Sequence, residues 1–321
     1  YAEAHFGLAE LLLYLGEDLE RGWQEHFWRW QKKELSGQWR DFDCPLWQGE
    51  NLNQKTIRIW GEQGIGEEIM YATFIPDLLE QGASVQLECE DRLKPLFERS
   101  FPGMACRGRE VDGPFEGACD YHSSAADLGR WLRPDMAAFP SRPRLLMVDP
   151  DQRRRLRKQY EADDKRPVIG ISWYSRNVEM GWEKSIDLNA WAPLFNKAAN
   201  ATFVDLQYGD TSAQRARLKS ELGVSLIHDS SIDQLRDLDG FAAQVAAMDL
   251  VISISNTTVH MAGALGVPTW CLLSSAPLWR WFKDRDDCPW YPSVRFFRQE
   301  VRGDWESVIG RVGQALQDRL S

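Results

Sequence analysis

From about residue 45 onward, short apolar runs alternate with helical stretches, and this alternation limits the possible folds most strongly. The runs predict strands at 56–60 and 84–89, and a second series at 168–173, 202–206, 224–227, 250–254 and 269–273. Strands that alternate with helices form parallel sheets with helices on both faces. A turn-rich stretch at 103–143 and a proline-rich segment at 140–151 separate the two series. The sequence therefore predicts an α/β fold with two parallel-sheet domains.

The first residues follow a different, helical pattern. Residues 2–34 predict two amphipathic helices joined by a turn at 16–18. This hairpin resembles a terminal tetratricopeptide repeat, a unit that normally stacks on further copies. Because the chain opens inside a helical pattern, we expect it to come from a longer protein. The predicted domains are the hairpin at 1–36, an N-terminal domain at 37–150, and a C-terminal domain at 151–321. The sequence leaves open which of the two larger domains the final helix packs on.

Charge and cysteine usage exclude several classes of protein. A net charge of −10 over 321 residues argues against a nucleic-acid-binding surface. The longest apolar run near the start is too short to span a bilayer, and no signal peptide is apparent, so we expect a cytoplasmic protein. The cysteines form no CxxC pair and have no nearby histidine, which predicts buried free thiols and neither zinc nor disulfides. They are Cys44, Cys89, Cys106, Cys119, Cys271 and Cys288.

A glycine-rich turn connects the first predicted strand to the helix after it. Gly61, Gly64 and Gly66 would let a ligand approach the backbone N–H groups at a helix start. The turn is not a phosphate-binding P-loop, because Glu67 occupies the position of the required lysine, and its glycine order does not match GxGxxG. A carboxylate favours a proton acceptor here, so Glu67 is the candidate catalytic base. Alternatively, Glu67 or Glu68 only complements the positive end of the helix.

A second polar turn follows the predicted strand at 250–254. Ser255, Asn256, Thr257 and Thr258 offer hydroxyl, amide and backbone N–H groups at a helix start, which is a suitable site for a diphosphate. His260 lies in the same helix and has two interpretations. It is either a structural residue or a donor to a phosphate oxygen.

Three further loops follow strands of the C-terminal half and are expected to open on the same edge of the sheet. Lys184 either neutralises a leaving phosphate or lies at the surface. The candidate donor-site residues in these loops are Ser172, Ser175, Lys184, Gln207 and Tyr208, with Trp279 and Arg280 as possible contacts to the sugar or base.

Aspartate pairs of the DxD form raise the possibility of a metal-dependent transferase. In an acidic chain such pairs are weak evidence, and Asp237 and Asp239 precede a predicted helix that they are well placed to cap. We therefore expect no obligatory metal.

The two loops together resemble the heptosyltransferase-like branch of GT-B glycosyltransferases, in the form found in bacterial tetratricopeptide-repeat proteins. The matching segments are 61–67 and 255–268, and the similarity extends over about 45–320. The family usually has an aspartate where this chain has Glu67. It usually has Asp-Thr-Gly where this chain has Asn256, Thr257 and Thr258.

The resemblance implies two Rossmann-like domains facing a cleft. It also implies an inverting, metal-independent transfer from a nucleotide sugar to a hydroxyl group, with Glu67 deprotonating the acceptor. The donor diphosphate would lie against residues 255–258, with His260 and Lys184 nearby. The repeat implies a protein acceptor, and no other cofactor is expected. Two alternatives stay open: a nucleotide-sugar epimerase or hydrolase, and a degenerate nucleotide-binding or scaffold protein.

Overall fold

A computed structural model describes residues 1–113, 115, 117–161, 166–178 and 180–321. The chain divides into two compact units. Unit 1 contains residues 1–142 together with 278–285, and unit 2 contains residues 143–277 together with 286–321. In the described parts of the chain, no helix is long and apolar enough to cross a membrane.

Unit 1 combines a helical hairpin with a parallel sheet whose strand order is β3-β2-β1-β4. The central strand β1 buries Ile57, Ile59 and Trp60, as expected for a strand with neighbours on both sides. The elements are α1 (Ala2–Leu15), α2 (Leu19–His26), β1 (Thr56–Trp60), α3 (Ile65–Tyr71), α4 (Ile75–Glu80), β2 (Ser84–Cys89), α5 (Lys94–Ser100), β3 (Ala105–Gly108), β4 (Tyr121–Ser124) and α6 (Gly129–Leu132).

The hairpin is formed by α1 and α2, as predicted. Gly16 ends α1 with a φ of 73°, a conformation that glycine adopts readily. The side chain of Asp18 caps α2 by accepting from the backbone N–H of Arg21. The second helix is shorter than predicted, because the chain continues as a 3₁₀ helix at Phe27–Gln31. The similarity to a tetratricopeptide repeat stays a prediction.

Unit 2 contains a parallel sheet with the order β6-β5-β7-β8-β9. Every residue of β5, β7 and β8 is buried, as in sheets covered on both faces. The elements are α7 (Pro150–Tyr160), β5 (Val168–Ser172), α8 (Gly181–Lys184), α9 (Ala192–Lys197), β6 (Thr202–Asp205), α10 (Ser212–Leu222), α11 (Leu238–Ala246), β7 (Leu250–Ile254), α12 (Thr257–Ala264), β8 (Thr269–Leu273), β9 (Val294–Arg298) and α13 (Trp305–Leu320).

The final helix α13 belongs to the core of unit 2. Val308, Ile309, Val312 and Leu316 are fully buried and join the cluster around β5 and β7. The sequence left open which domain this helix packs on. The burial of one continuous helical face now assigns it to unit 2.

Several strands differ from the prediction. The strand predicted at 224–227 is absent, because only Ile227 makes a bridge, to Val204. Conversely, β3 and β4 form in the stretch predicted to be irregular, and β9 was not predicted. In β3 and β4 most residues are polar or small, so they lack the apolar run that marks β1 or β7.

The prediction of free thiols was wrong for Cys44 and Cys119, which form a disulfide. They are 75 residues apart, and their Cα atoms are 5.8 Å apart. The contact arises because the segment with Cys44 runs beside β4, where the backbone N–H of His122 donates to the carbonyl of Pro45. Sequence spacing carries no information on this pairing. Cys89, Cys106, Cys271 and Cys288 are free thiols.

The disulfide leads to a first prediction. In denaturant without reductant, four thiols per chain should react with Ellman's reagent, because two of the six cysteines are bonded. All six should react after reduction. The double variant Cys44→Ser, Cys119→Ser is the control and should give four thiols under both conditions. Six reactive thiols in the unreduced wild type would contradict the disulfide.

Candidate functional site

The glycine-rich turn of unit 1 connects β1 to α3 and packs tightly against neighbouring side chains. The backbone N–H of Gly61 donates to the carbonyl of Glu88 at 2.8 Å. A Cβ atom at Gly61 would lie 2.7 Å from the Glu68 carboxylate and from the Arg109 guanidinium. Gly64 is the N-cap of α3. The turn therefore needs glycine at position 61 because there is no room for a side chain.

Glu67 and Glu68 both lie in the first turn of α3, where carboxylates are favoured. The Glu68 side chain is buried, pairs with Arg109, and accepts from the backbone N–H of Glu90. Burial raises the pKa of Glu68, although Arg109 opposes this shift. The Glu67 side chain is 22% exposed, and its Oε1 lies 2.7 Å from Nη1 of Arg280. Glu67 is thus the more accessible carboxylate, and it has a cation beside it.

A buried ion-pair network supports the same turn and was missed by the sequence analysis. The guanidinium of Arg29, fully buried, donates from Nε and Nη2 to both carboxylate oxygens of Glu62, at 2.8 and 2.7 Å. It also donates to Asp127 at 2.7 Å and to Ser124 at 2.9 Å. Burial alone would lower the pKa of Arg29, but Asp127 and Glu62 raise it above its ordinary value. In the sequence, the only sign of this network was Arg29 itself, a charged residue within an amphipathic helical pattern.

Trp279 and Arg280 were predicted as possible contacts to the sugar or base, and that role stays a prediction. Both residues lie in residues 278–285, here called the strap, which belongs to unit 1. Trp279 is buried and packs edge-on against Trp23 and His26, with ring centroids 5.5 and 5.9 Å away. This packing was not predictable from the sequence, because the strap follows directly after a segment of unit 2.

His26 lies inside this cluster and is 1% exposed. Burial holds its pKa well below the ordinary value, and the cations Arg29 and Arg280 lower it further. The aromatic and cationic groups around the glycine turn are therefore packed as one buried cluster with its charges carried by arginine and glutamate.

In unit 2, the structure brings three predicted residues together from three different loops. Gln207 Oε1 accepts a hydrogen bond from Ser172 Oγ at 3.0 Å. The Asn256 side-chain amide donates to the same Ser172 Oγ at 2.8 Å. Ser172 ends β5, Gln207 follows β6, and Asn256 follows β7. Carboxyl ends of parallel strands meet at one edge of a sheet, so these loops converge as predicted.

The start of α12 is shaped by Asn256, which caps the helix. Asn256 Oδ1 accepts from the backbone N–H of Thr258 at 3.0 Å. Part of the role of Asn256 is therefore structural. Thr257 is partly exposed, whereas Ser255 and Thr258 are buried. Thr257 and Asn256 are thus the accessible predicted residues on this turn.

His260 points into the packing of unit 2. It is 3% exposed, and its Nδ1 lies 3.1 Å from the hydroxyl of Tyr291, whose ring it meets edge-on. This geometry favours the structural interpretation of His260 over donation to a phosphate.

The remaining predicted residues lie in the loops after β5 and β6. Ser175 Oγ accepts from the backbone N–H of Asn177 at 3.3 Å. The hydroxyl of Tyr208 accepts from the backbone N–H of Arg176 at 2.6 Å. Lys184 is the last residue of α8. Their binding roles stay predictions.

In the ranges that the structure describes, no group of three or more His, Cys, Asp or Glu residues is arranged to hold a metal ion. Asp237 accepts from the backbone N–H of Gly240 at 2.8 Å and so caps α11. The capping interpretation of Asp237 is therefore confirmed.

No protein-family model matches the chain. Protein FlbA of Caulobacter vibrioides is 35% identical to this chain over an alignment of 336 positions, which covers 99% of this chain and 55% of FlbA. The chain thus spans about half the length of this curated relative.

Two solved structures show what the fold is similar to. A family 9 glycosyltransferase from Veillonella parvula aligns with a TM-score of 0.65 and 13% identity, covering 85% of this chain and 99% of that one. The ADP-heptose lps heptosyltransferase II of E. coli aligns with a TM-score of 0.56 and 14% identity, covering 82% and 99%. The two parallel-sheet α/β units therefore have the fold of heptosyltransferase-like family 9 glycosyltransferases.

Proposed function

We propose that this protein is a glycosyltransferase that moves a sugar from a nucleotide-sugar donor to a hydroxyl acceptor. The observation that carries the proposal is the linked set Ser172, Gln207 and Asn256, which gathers three loops of unit 2 beside the start of α12. This is where ligands bind in open α/β sheets. The solved structure from E. coli with the same fold is described as an ADP-heptose heptosyltransferase, which supports this reaction class.

The donor diphosphate is proposed to lie at the start of α12. A helix N-terminus presents backbone N–H groups and the positive end of the helix dipole to an anion. The hydroxyls of Ser255 and Thr257 and the ammonium of Lys184 would add donors. Fixed donors of this kind stabilise the negative charge that develops on the leaving nucleoside diphosphate. No metal is required for this step in the proposed mechanism.

Glu67 of unit 1 is proposed as the general base. Its carboxylate would take the proton from the acceptor hydroxyl as that oxygen attacks the anomeric carbon. The bond between the anomeric carbon and the diphosphate oxygen breaks on the opposite face, so the configuration inverts. Glu67 has the same carboxylate as the aspartate that heptosyltransferase-like enzymes usually have at this position, and its side chain is longer by one methylene.

The acceptor is proposed to be a protein, with the hairpin at 1–36 contributing to its binding. Helical hairpins of the repeat class present an extended surface when several copies stack. We also propose a cytoplasmic setting. FlbA extends well beyond the matched region, so we propose that this chain is part of a longer protein.

A second candidate is a nucleotide-binding or scaffold protein without transferase activity. The observation that favours it is that all three carboxylates at the glycine turn pair with arginines: Glu62 with Arg29, Glu67 with Arg280, and Glu68 with Arg109. In a scaffold these pairs would serve only to hold unit 1 together. Measuring turnover and binding in parallel separates the two candidates.

Nucleotide binding is the direct test of the donor site. We expect one nucleoside diphosphate from a panel to bind in calorimetric titration, both with chelator and with added divalent metal. Thr257→Val and Lys184→Met should each weaken binding by about 10- to 100-fold, the value of a lost charge-assisted hydrogen bond. Glu67→Gln is the matched control and should bind like the wild type.

Each other outcome has a defined meaning. If no nucleotide binds, the donor site and the transferase proposal are both wrong. Binding that requires the metal would contradict metal independence. Hydrolysis or isomerisation of the nucleotide sugar without any acceptor would favour the hydrolase or epimerase.

A further inference from the structure

We propose that Arg280 is the positioning residue for Glu67 and makes no contact with the donor or acceptor. Its guanidinium fixes the carboxylate that accepts the proton, so this inference rests on the proposed transferase function. It replaces the prediction from sequence that Arg280 contacts the sugar or base.

The two partners differ in exposure in the way that this role requires. Nη1 of Arg280 lies 2.7 Å from Oε1 of Glu67. The Arg280 side chain is 8% exposed, whereas that of Glu67 is 22% exposed. A substrate can therefore reach the carboxylate more readily than the guanidinium. The Arg280 guanidinium is thus buried behind the Glu67 carboxylate, which is the proposed general base.

Arg280 is held in place by the helical hairpin. The strap forms a 3₁₀ helix at Trp279–Trp281, and its backbone N–H at Lys283 donates to the carbonyl of Tyr14 at 2.7 Å. Trp279 is fixed by its edge-on contacts with Trp23 and His26. The residue before Arg280 and the third residue after it are thus both attached to α1 or α2.

Phe282 fixes the strap on its other side. Its ring meets that of Phe139 edge-on, with centroids 5.7 Å apart. A Cβ atom at Gly16 would lie 3.3 Å from the Phe282 ring, so the ring packs directly on the end of α1. Phe282 itself has a φ of 50°, an unusual conformation for a phenylalanine, which only firm packing maintains.

The other end of the glycine turn is held in a similar way. Arg29, from the 3₁₀ helix after α2, forms two hydrogen bonds to Glu62. The turn is therefore held by two ion pairs, one between Glu62 and Arg29 and one between Glu67 and Arg280. Both arginines are positioned by the same hairpin, which gives this element a role in aligning the candidate base.

The chemistry of arginine suits this task. A guanidinium stays charged at any working pH and offers donors in a fixed plane, so it holds a carboxylate in one orientation. It cannot accept the acceptor's proton itself. Its effect on transfer must therefore pass through Glu67, and this dependence can be measured.

A double-mutant cycle on kcat tests the inference. Arg280→Met should lower kcat by about 10- to 100-fold, as expected when a reacting group is misplaced by about 1 Å. The donor KM should stay within about two-fold, because no substrate contact is lost. Arg280→Lys should recover part of kcat by restoring the cation. In a Glu67→Gln background, Arg280→Met should have no further effect.

Lys283→Met is the matched control, since Lys283 is a cation on the same strap whose side chain is 49% exposed. It should keep the wild-type kcat. The inference is overturned if Arg280→Met keeps the wild-type kcat, if it raises the donor KM, or if its effect multiplies with that of Glu67→Gln. Should Arg280→Met not fold, the same cycle with Arg280→Lys decides. A wild type that binds donor but transfers no sugar overturns the proposed function itself, and the inference with it.

Discussion

Replacing Glu67 by glutamine is expected to lower kcat for sugar transfer by about 10²- to 10⁴-fold, the usual contribution of a general base. The amide has nearly the same shape as the carboxylate but cannot accept the acceptor's proton. Glu67 is partly exposed in the first turn of α3, so the change leaves the core of unit 1 intact. The measurement is a steady-state assay with the donor identified by titration.

Glu67→Asp is the informative companion, because it keeps the carboxylate and shortens its reach by one methylene. It should retain more activity than Glu67→Gln. Donor affinity should be unchanged in both variants. Full activity in Glu67→Gln would show that another group accepts the proton, or that transfer needs no base.

Arg29→Met should destabilise unit 1 by about 3–5 kcal/mol, because removing one partner of a buried ion pair leaves the other charge unpaired. Glu62 is 3% exposed, and Arg29 donates a hydrogen bond to each of its two carboxylate oxygens. The shift is measured by urea unfolding followed by tryptophan fluorescence.

The control is Arg21→Met, an arginine of α2 whose side chain is 56% exposed. Its effect should stay within about 0.5 kcal/mol, as for most surface ion pairs. Adding Glu62→Gln and Asp127→Asn to Arg29→Met should restore part of the loss, since the unpaired charges are then gone. Equal effects of Arg21→Met and Arg29→Met would show that the buried pair adds nothing to stability.

The sequence was sufficient for the elements whose pattern is local. The strands β1, β2, β7 and β8 were predicted with the bounds that the structure shows, because each has an apolar or alternating pattern that ends with a change in composition. The edge strand β3 and the polar strand β4 were missed. They owe their conformation to the neighbouring strands β2 and β1, and a pairing of this kind leaves no local pattern.

The candidate site was predictable to a similar extent. Loop residues after β5, β6 and β7 were expected to converge, because the parallel-sheet rule depends only on strand order, and Ser172, Gln207 and Asn256 do so. Arg29 and Arg280 could not be assigned. Each reaches the glycine turn from a segment distant in sequence, 33 residues before Glu62 and 213 residues after Glu67.

The strap also affects how the protein can be made. Unit 1 consists of residues 1–142 and 278–285, so its last piece is synthesised only after most of unit 2. Domains generally fold in the order in which they leave the ribosome. Here unit 1 cannot complete its fold until residues 278–285 have been synthesised. Until then, Trp23 and His26 lack their packing partner Trp279. An expression fragment that stops near residue 142 should therefore be less soluble than residues 1–321.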